Sequence, residues 1–246
     1  MIDFHTHILP GMDDGSSSSE ESIEMLKALE SQGVDGVVLT PHFYAYKTDM
    51  NTFLKTRRDS FDRLVSEMRK NDVKVDLYLG AEVLYFNELW RVDDLQQLCI
   101  EGTKYLVLEM PFSKWSDAMI NGVGKLVSRG YNPIIAHFNR YVRIHKSTRQ
   151  VQELVNAGAM LQLNCNCFEN PFKRSWASSM LKKGMVSALG TDCHDMKGRK
   201  PDYSVAYSYI DSHSPERAKK FLDMRQKMIK RNAIKSYDSS CDILKK

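Results

Sequence analysis

Short apolar runs alternate with segments of helical period along almost the whole chain. The runs at 1–5, 35–40, 73–81, 105–110, 133–137, 160–164 and 185–191 are rich in Val, Ile, Leu and Tyr and read as buried strands. Between them, apolar positions recur at i, i+3 and i+4. Ile23, Leu26 and Leu29 share one face of a helix that opens in the Ser16–Ser19 run and stops near Gly33. Ser17 and Ser18 each stand three residues before a glutamate (Glu20 and Glu21), the spacing of a capping box. A second helix is predicted over 51–70, with Leu54, Phe61, Leu64, Val65 and Met68 on its apolar face. Further helices are predicted over 92–99, 117–129, 146–157, 172–183 and 215–232.

Seven strand–helix alternations without a linker imply an α/β fold with a parallel sheet. At 246 residues the chain has the size at which such units close into a barrel. No repeat or low-complexity linker divides it, so a single domain over 1–246 is expected.

Composition narrows the classes without changing that picture. With 42% hydrophobic and 27% charged residues, the chain is neither disordered nor a small disulfide scaffold. No apolar stretch is long enough to cross a bilayer, so no membrane insertion is expected. The opening residues carry no secretory signal. Five cysteines spread over this length fit free thiols in a reducing compartment, and a cytoplasmic protein is expected. The net charge of +4 is uneven: residues 215–246 hold ten Lys/Arg against four Asp/Glu. This basic C-terminal helix reads first as a solvated face. No pattern of aromatic residues interleaved with the charge and no nucleic-acid motif accompanies it, so no nucleic-acid partner is expected.

Candidate chemistry collects where strands end. His5 and His7 close the first run, His42 follows the second, and Glu82 follows the third. Glu109 sits at the end of the fourth, His137 ends the fifth, and Asp192 and His194 follow the seventh. In a parallel barrel the C-terminal strand ends converge on one face. Side chains two apart on a strand share a face, so His5/His7 and Asp192/His194 can each offer two ligands to one ion. Imidazole and carboxylate together suit Zn, Mn or Fe, and the set implies a multinuclear metal centre. Two other readings compete. Cys193 and Arg199 have the C-x5-R spacing of cysteine-dependent phosphatases, but Asp192 and Asp195 oppose a thiolate there. Cys165 and Cys167 form a CxC near the end of the sixth run; packed small residues explain it better than metal ligation.

The opening Met1-Ile2-Asp3-Phe4-His5-Thr6-His7-Ile8-Leu9-Pro10-Gly11-Met12-Asp13-Asp14-Gly15 resembles that of the bacterial PHP-domain, manganese-dependent tyrosine phosphatases of capsule biosynthesis. The resemblance continues in order through Thr40-Pro41-His42, Gly80-Ala81-Glu82-Val83, Leu108-Glu109-Met110-Pro111, Ala136-His137 and Thr191-Asp192-Cys193-His194-Asp195. It implies a distorted (β/α)7 barrel holding three divalent ions, Mn²⁺ in the first place and Fe or Zn as alternatives. The implied ligands are His5, His7, Asp14, His42, Glu82, Glu109, His137, Asp192 and His194, with Glu109 bridging two ions. Asp14 joins them only through the resemblance. Arg140 and Arg199 map onto the family's phosphate-binding arginines. Phe138 and Asn139 stand where the family has Pro and Glu.

The expected reaction is metal-dependent phosphomonoester hydrolysis, with hydroxide on the metal attacking in line. Phosphotyrosine on a bacterial tyrosine kinase that controls exopolysaccharide synthesis is the implied substrate. Histidinol phosphate, a sugar phosphate or a nucleic-acid end is the alternative, because the metal set serves the chemistry and not the substrate. A homo-oligomer is left open.

Overall fold

The computed structural model of the chain describes residues 1–143 and 148–213, with Glu216, Lys219 and Asp223 beyond them. In chain order the elements are β1 (Ile2–Thr6), α1 (Ser19–Ser31), β2 (Gly36–Leu39), β3 (His42–Phe43), α2 (Met50–Lys70), β4 (Asp76–Leu79) and β5 (Glu82–Leu84). They continue with β6 (Tyr105–Glu109), α3 (Asp117–Ser128), β7 (Asn132–Ile135), α4 (Thr148–Asn156), β8 (Met160–Asn164), α5 (Pro171–Lys182), β9 (Val186–Gly190) and α6 (Ser204–His213).

All strand pairings are parallel, in two sheets ordered β1-β2-β4 and β3-β5-β6-β7-β8-β9. Backbone hydrogen bonds carry the ladders past the strand ends. The Thr40 N–H donates to the Thr6 carbonyl at 2.9 Å beyond the β1–β2 pairing, and the Glu82 N–H to the Pro41 carbonyl at 3.0 Å beside the β3–β5 pairing. Between β1 and the end of β9, Asp192 N–H donates to the His5 carbonyl at 2.8 Å and His7 N–H to the Cys193 carbonyl at 2.9 Å. The first and last strands are therefore neighbours.

The second and third predicted strands each continue past a break, as β3 and β5. Pro41 has no N–H to donate, so the ladder lapses at Thr40-Pro41 and resumes at His42. The helix predicted over 92–99 is instead two short 310 turns, Leu89–Arg91 and Leu95–Leu98. Glu88 and Asp94, at φ +67° and +54°, turn the backbone left-handed before each of them and prevent a continuous helix. Helix α6 was not anticipated: it buries only Ala206 and Ile210, too few positions to register as a period. Most of the basic segment over 215–232 lies outside the described residues.

Of the two predicted capping spacings, Ser18–Glu21 forms the cap of α1. Ser18 Oγ accepts from the Glu21 N–H at 3.2 Å, while the Glu21 carboxylate accepts from the Ser17 N–H and hydroxyl at 2.9 Å. Asp49 caps α2 in the same way, and Arg69 and Lys70 sit favourably at its negative end. One hydrophobic cluster packs helices on strands. A smaller one is built from Ile2, Phe4, Val38, Tyr78, Tyr105, Val107, Ile134, Met160 and Ala188, a contribution from seven strands, together with Ile100 and Ala136. Strands β1, β2, β6, β8 and β9 are buried along their whole length, as strands covered on both faces must be.

Candidate metal centre

The histidines and acids at the strand ends meet. Among the described residues, three groups have ligand atoms close enough to share an ion: His7, Asp14, His42 and His194; His5, His7 and Asp192; and His42, Glu82 and Glu109. His137 is outside these groups, but its Nε2 lies 2.8 Å from Glu82 Oε1 and 3.6 Å from Glu109 Oε1. All nine sequence-derived candidates thus converge, although 189 positions separate the first, His5, from the last, His194. Except for His42 and Asp14 they are buried. Glu82 is the hub. Its Oε2 lies 3.2, 3.3 and 3.0 Å from nitrogens of His5, His7 and His42.

These residues fit a metal on the structure's own terms. His5 Nε2 and His7 Nε2 face each other at 3.1 Å, and two lone pairs cannot do so without a proton or a cation between them. Among the described residues, His42 Nδ1, Glu82 Oε2, His137 Nδ1 and His194 Nε2 are buried polar atoms without a hydrogen-bond partner. Such atoms are costly unless something coordinates them.

The electrostatics follow. Burial opposes charge on His7 and His137, but hydrogen bonds to Asp13 and Glu82, and to Glu109 and Glu82, outweigh it and hold them up at about 10 and about 9. His194 goes the other way, to about 4, through burial and the nearby His7 and Arg199. Burial works against ionised Glu82 and Asp192, yet the surrounding imidazoles hold both carboxyls well below their usual range. Protons and cations compete for the same lone pairs here, so ion uptake strengthens as pH rises.

Backbone strain marks two of these positions. His137 has φ +32° and Asp192 φ +56°, each just past a strand. Such conformations cost about 1–3 kcal/mol in a residue with a side chain and persist only where the surroundings enforce them. The enforcing contacts are the His137 N–H to Gln162 Oε1 and the Asp192 N–H to the His5 carbonyl.

Residues that sequence reasoning did not single out hold the set in place. Asp13 Oδ2 accepts from His7 Nδ1 at 2.7 Å and from the His42 N–H at 2.9 Å, which turns His7 Nε2 inward. Burial opposes its ionisation, but His7 draws its carboxyl far below the usual range. Gly15 brings that loop against His7: a Cβ there would lie 2.2 Å from the His7 carbonyl oxygen. Strand β8 supplies no charged residue. Its Gln162 Oε1 accepts from His5 Nδ1 at 3.1 Å, its amide N–H donates to Asn164 Oδ1 at 3.1 Å, and Asn164 Nδ2 donates to Asp192 Oδ2 at 2.9 Å. Two amides therefore fix a histidine tautomer at one end and a carboxylate at the other. Replacing Gln162 with Leu should weaken divalent-ion binding about 10- to 100-fold, read by calorimetric titration of the metal-free protein.

Arg140 and Arg199 both reach Asp192. Arg140 Nη2 donates to Oδ2, and Arg199 Nη2 to Oδ1 at 2.6 Å. Both guanidinium groups are partly exposed, at 36% and 37%. Phe138 packs buried against Trp176, and Asn139 Oδ1 accepts from the Asn164 N–H at 3.0 Å, so the departures from the expected Pro-Glu leave Arg140 facing the cluster. Cys193 is fully buried, and burial pushes its thiol well above the usual range, which removes the thiolate reading. Cys165 and Cys167 are buried among hydrophobic neighbours. Of the two remaining histidines, His213 is stacked on Tyr209 at the end of α6, and His145 lies outside the described residues.

Known proteins resemble this chain over most of its length. It is 29% identical over 205 residues to tyrosine-protein phosphatase YwqE of Bacillus subtilis, covering 81% of this chain and 79% of that one. To tyrosine-protein phosphatase CpsB of Streptococcus agalactiae it is 26% identical over 248 residues, 95% of this chain and 100% of the other. A crystal structure from work on B. subtilis YwqE and Streptococcus pneumoniae CpsB, described as unique metal-dependent tyrosine phosphatases, superposes with TM-score 0.82 at 25% identity, covering 95% and 96% of the two chains. An inactive dihydroorotase-like domain of Chaetomium thermophilum shares the fold at TM-score 0.52 and 9% identity, covering 95% of this chain and 79% of its own. The sequence profile of the family described as "Capsular polysaccharide synthesis, CpsB/CapC" matches residues 1–233, and the chain belongs to that family.

Proposed function

We propose that this chain is a metal-dependent protein-tyrosine phosphatase acting in capsule or exopolysaccharide synthesis. One observation carries the reading above all. Through Asp192, a buried imidazole–carboxylate cluster fit for cations meets two partly exposed arginines fit for an anion. A phosphate ester is the substrate that needs both at once. The names of the relatives support tyrosine phosphate as the ester.

In this reading the three ligand groups would hold the ions, with Glu109 among the ligands, and Mn²⁺ is preferred over Fe or Zn. The connected strand pairings are read as a distorted (β/α)7 barrel whose mouth carries the centre. Bound divalent ions would neutralise phosphate charge and acidify a water. The chain does the rest. Asp13 and Gln162 hold His7 and His5 with Nε2 inward. Arg140 and Arg199 leave Asp192 to grip the phosphoryl oxygens, bidentately where geometry allows. The leaving phenolate has a pKa of about 10 and needs little acid help. The partner is a phosphotyrosyl protein, a tyrosine kinase of the same process, and the free buried thiols suit the reducing cytoplasm. No helix among the described residues is long and apolar enough to cross a membrane.

A substrate panel tests the assignment. With Mn²⁺, phosphate release from a phosphotyrosyl peptide should exceed that from histidinol phosphate and 3′-phosphorylated DNA, and Cys193→Ser should retain it. Faster turnover of histidinol phosphate would move the substrate elsewhere in the superfamily. Activity that outlasts chelation and vanishes in Cys193→Ser would discard the metal mechanism.

A further inference from the structure

Among the described residues three large hydrophobic side chains are strongly exposed: Tyr46, Phe112 and Phe172. Two of them stand beside the cluster. Tyr46 stacks on Tyr44, and Tyr44 on His42, with Lys47 Nζ 4.5 Å from the Tyr44 centroid. Phe112, 52% exposed, follows Pro111 in the loop after β6. Its ring lies 5.7 Å from that of His137 at 15° and 5.1 Å from that of Tyr141 at 27°. The His137 and Tyr141 rings are themselves 5.7 Å apart, so both lie on the same face of Phe112. About half of the Phe112 side chain, 52%, is left to solvent.

Phe112 is not exposed because its loop is loose. Trp115 is buried, meets Tyr141 edge-on at 5.1 Å and donates its Nε1–H to the Pro111 carbonyl at 3.1 Å. The Tyr141 hydroxyl accepts from the Met110 N–H at 3.0 Å and donates to the Met110 carbonyl at 2.7 Å. The ring is held in place beside His137, and a rigid apolar surface next to a charged site loses little entropy when a ligand covers it. Arg140 and Arg199, both reaching Asp192, offer the charge that a phosphate dianion requires.

We propose that the exposed side of Phe112 is the wall on which the phenyl ring of an aryl phosphate stacks, so that Phe112 sets the preference for aryl over alkyl phosphates. The proposal rests on the phosphatase reading above. With the phosphoryl group between the arginines and the cluster, a ring one ester bond away reaches the side chain that lies against His137. Offset or edge contacts between two rings are favourable beyond simple burial, and an alkyl ester has no ring to make them.

The experiment compares kcat/KM of the full-length, Mn²⁺-loaded protein for one peptide carrying phosphotyrosine and the same peptide carrying phosphoserine. Phe112→Leu, which keeps an apolar side chain against Tyr141, should lower the phosphotyrosine-to-phosphoserine ratio about tenfold, mainly through KM, and Phe112→Tyr should restore it. Phe112→Ala gives the same comparison without the bulk, and thermal melts confirm that each variant folds. A ratio unchanged in both Phe112→Leu and Phe112→Ala, or an equal loss on both peptides, overturns the aromatic wall and leaves the phosphatase reading standing. A wild type inactive on both peptides overturns that reading and the wall with it.

Discussion

Replacing Glu82 with Gln should strip the protein of bound divalent ions and lower kcat/KM for a phosphomonoester by roughly three orders of magnitude. The ions are asked to supply several kcal/mol of charge stabilisation, and each 1.36 kcal/mol is about tenfold in rate. No other side chain can substitute, because Glu82 is fully buried and its two oxygens lie within 2.8–3.3 Å of nitrogens on His5, His7, His42 and His137. The substitution keeps the shape and removes the charge. In the metal-free protein it leaves imidazolium groups without their buried partner, and breaking such a pairing costs about 3–5 kcal/mol. Elemental analysis reads the first effect and a urea midpoint the second. A Glu82→Gln protein with a full complement of ions and normal turnover would refute the proposed centre.

Removing the arginines should also be severe, with a different signature. Arg140→Ala or Arg199→Ala should each cost about 10²- to 10³-fold in kcat/KM, the scale for losing one fixed donor to a developing oxyanion. Lysine should rescue neither fully, because a single ammonium cannot reproduce the fork of a guanidinium. Ion content should be retained, since both groups sit at the solvent side of Asp192 and the imidazoles approach it from within. Kinetics on p-nitrophenyl phosphate combined with metal analysis separates the outcomes. Loss of ions in Arg199→Ala would mean that the arginines serve to hold Asp192, not to bind substrate.

Much of the site was legible before any coordinates. Charged residues have no business at the ends of buried parallel strands unless they meet, and period two put His5 with His7; Asp192 and His194, beyond the end of β9 and with Asp192 left-handed, fall in separate groups. What escaped notice was neutral or ambiguous. Gln162 and Asn164 belong to an apolar run and carry no charge, so nothing in the pattern marks them as supports; two amides at i and i+2 on the strand lacking a ligand were the available clue. Asp13 and Asp14 are adjacent acids, and only the fold shows Asp13 turned to His7 and Asp14 left largely exposed. In the fold, the turns replacing the helix over 92–99 depended on left-handed residues at Glu88 and Asp94, types with no strong preference for that conformation. The breaks at Thr40-Pro41 and Gly80-Ala81 lay inside or beside apolar runs, where hydrophobicity alone cannot show a lapse in pairing.

The contact of His5 with Asp192 and of Thr6 with Cys193 has a consequence for biosynthesis. A ribosome working from the amino end releases His5, His7, His42 and Glu82 long before the closing strand exists, so the nascent chain carries half a chelating set with nothing to complete it. For the proposed centre, high-affinity ion capture would wait until residues near 194 clear the exit tunnel, which would make metallation one of the last events of maturation and tie it to the docking of the first strand against the last.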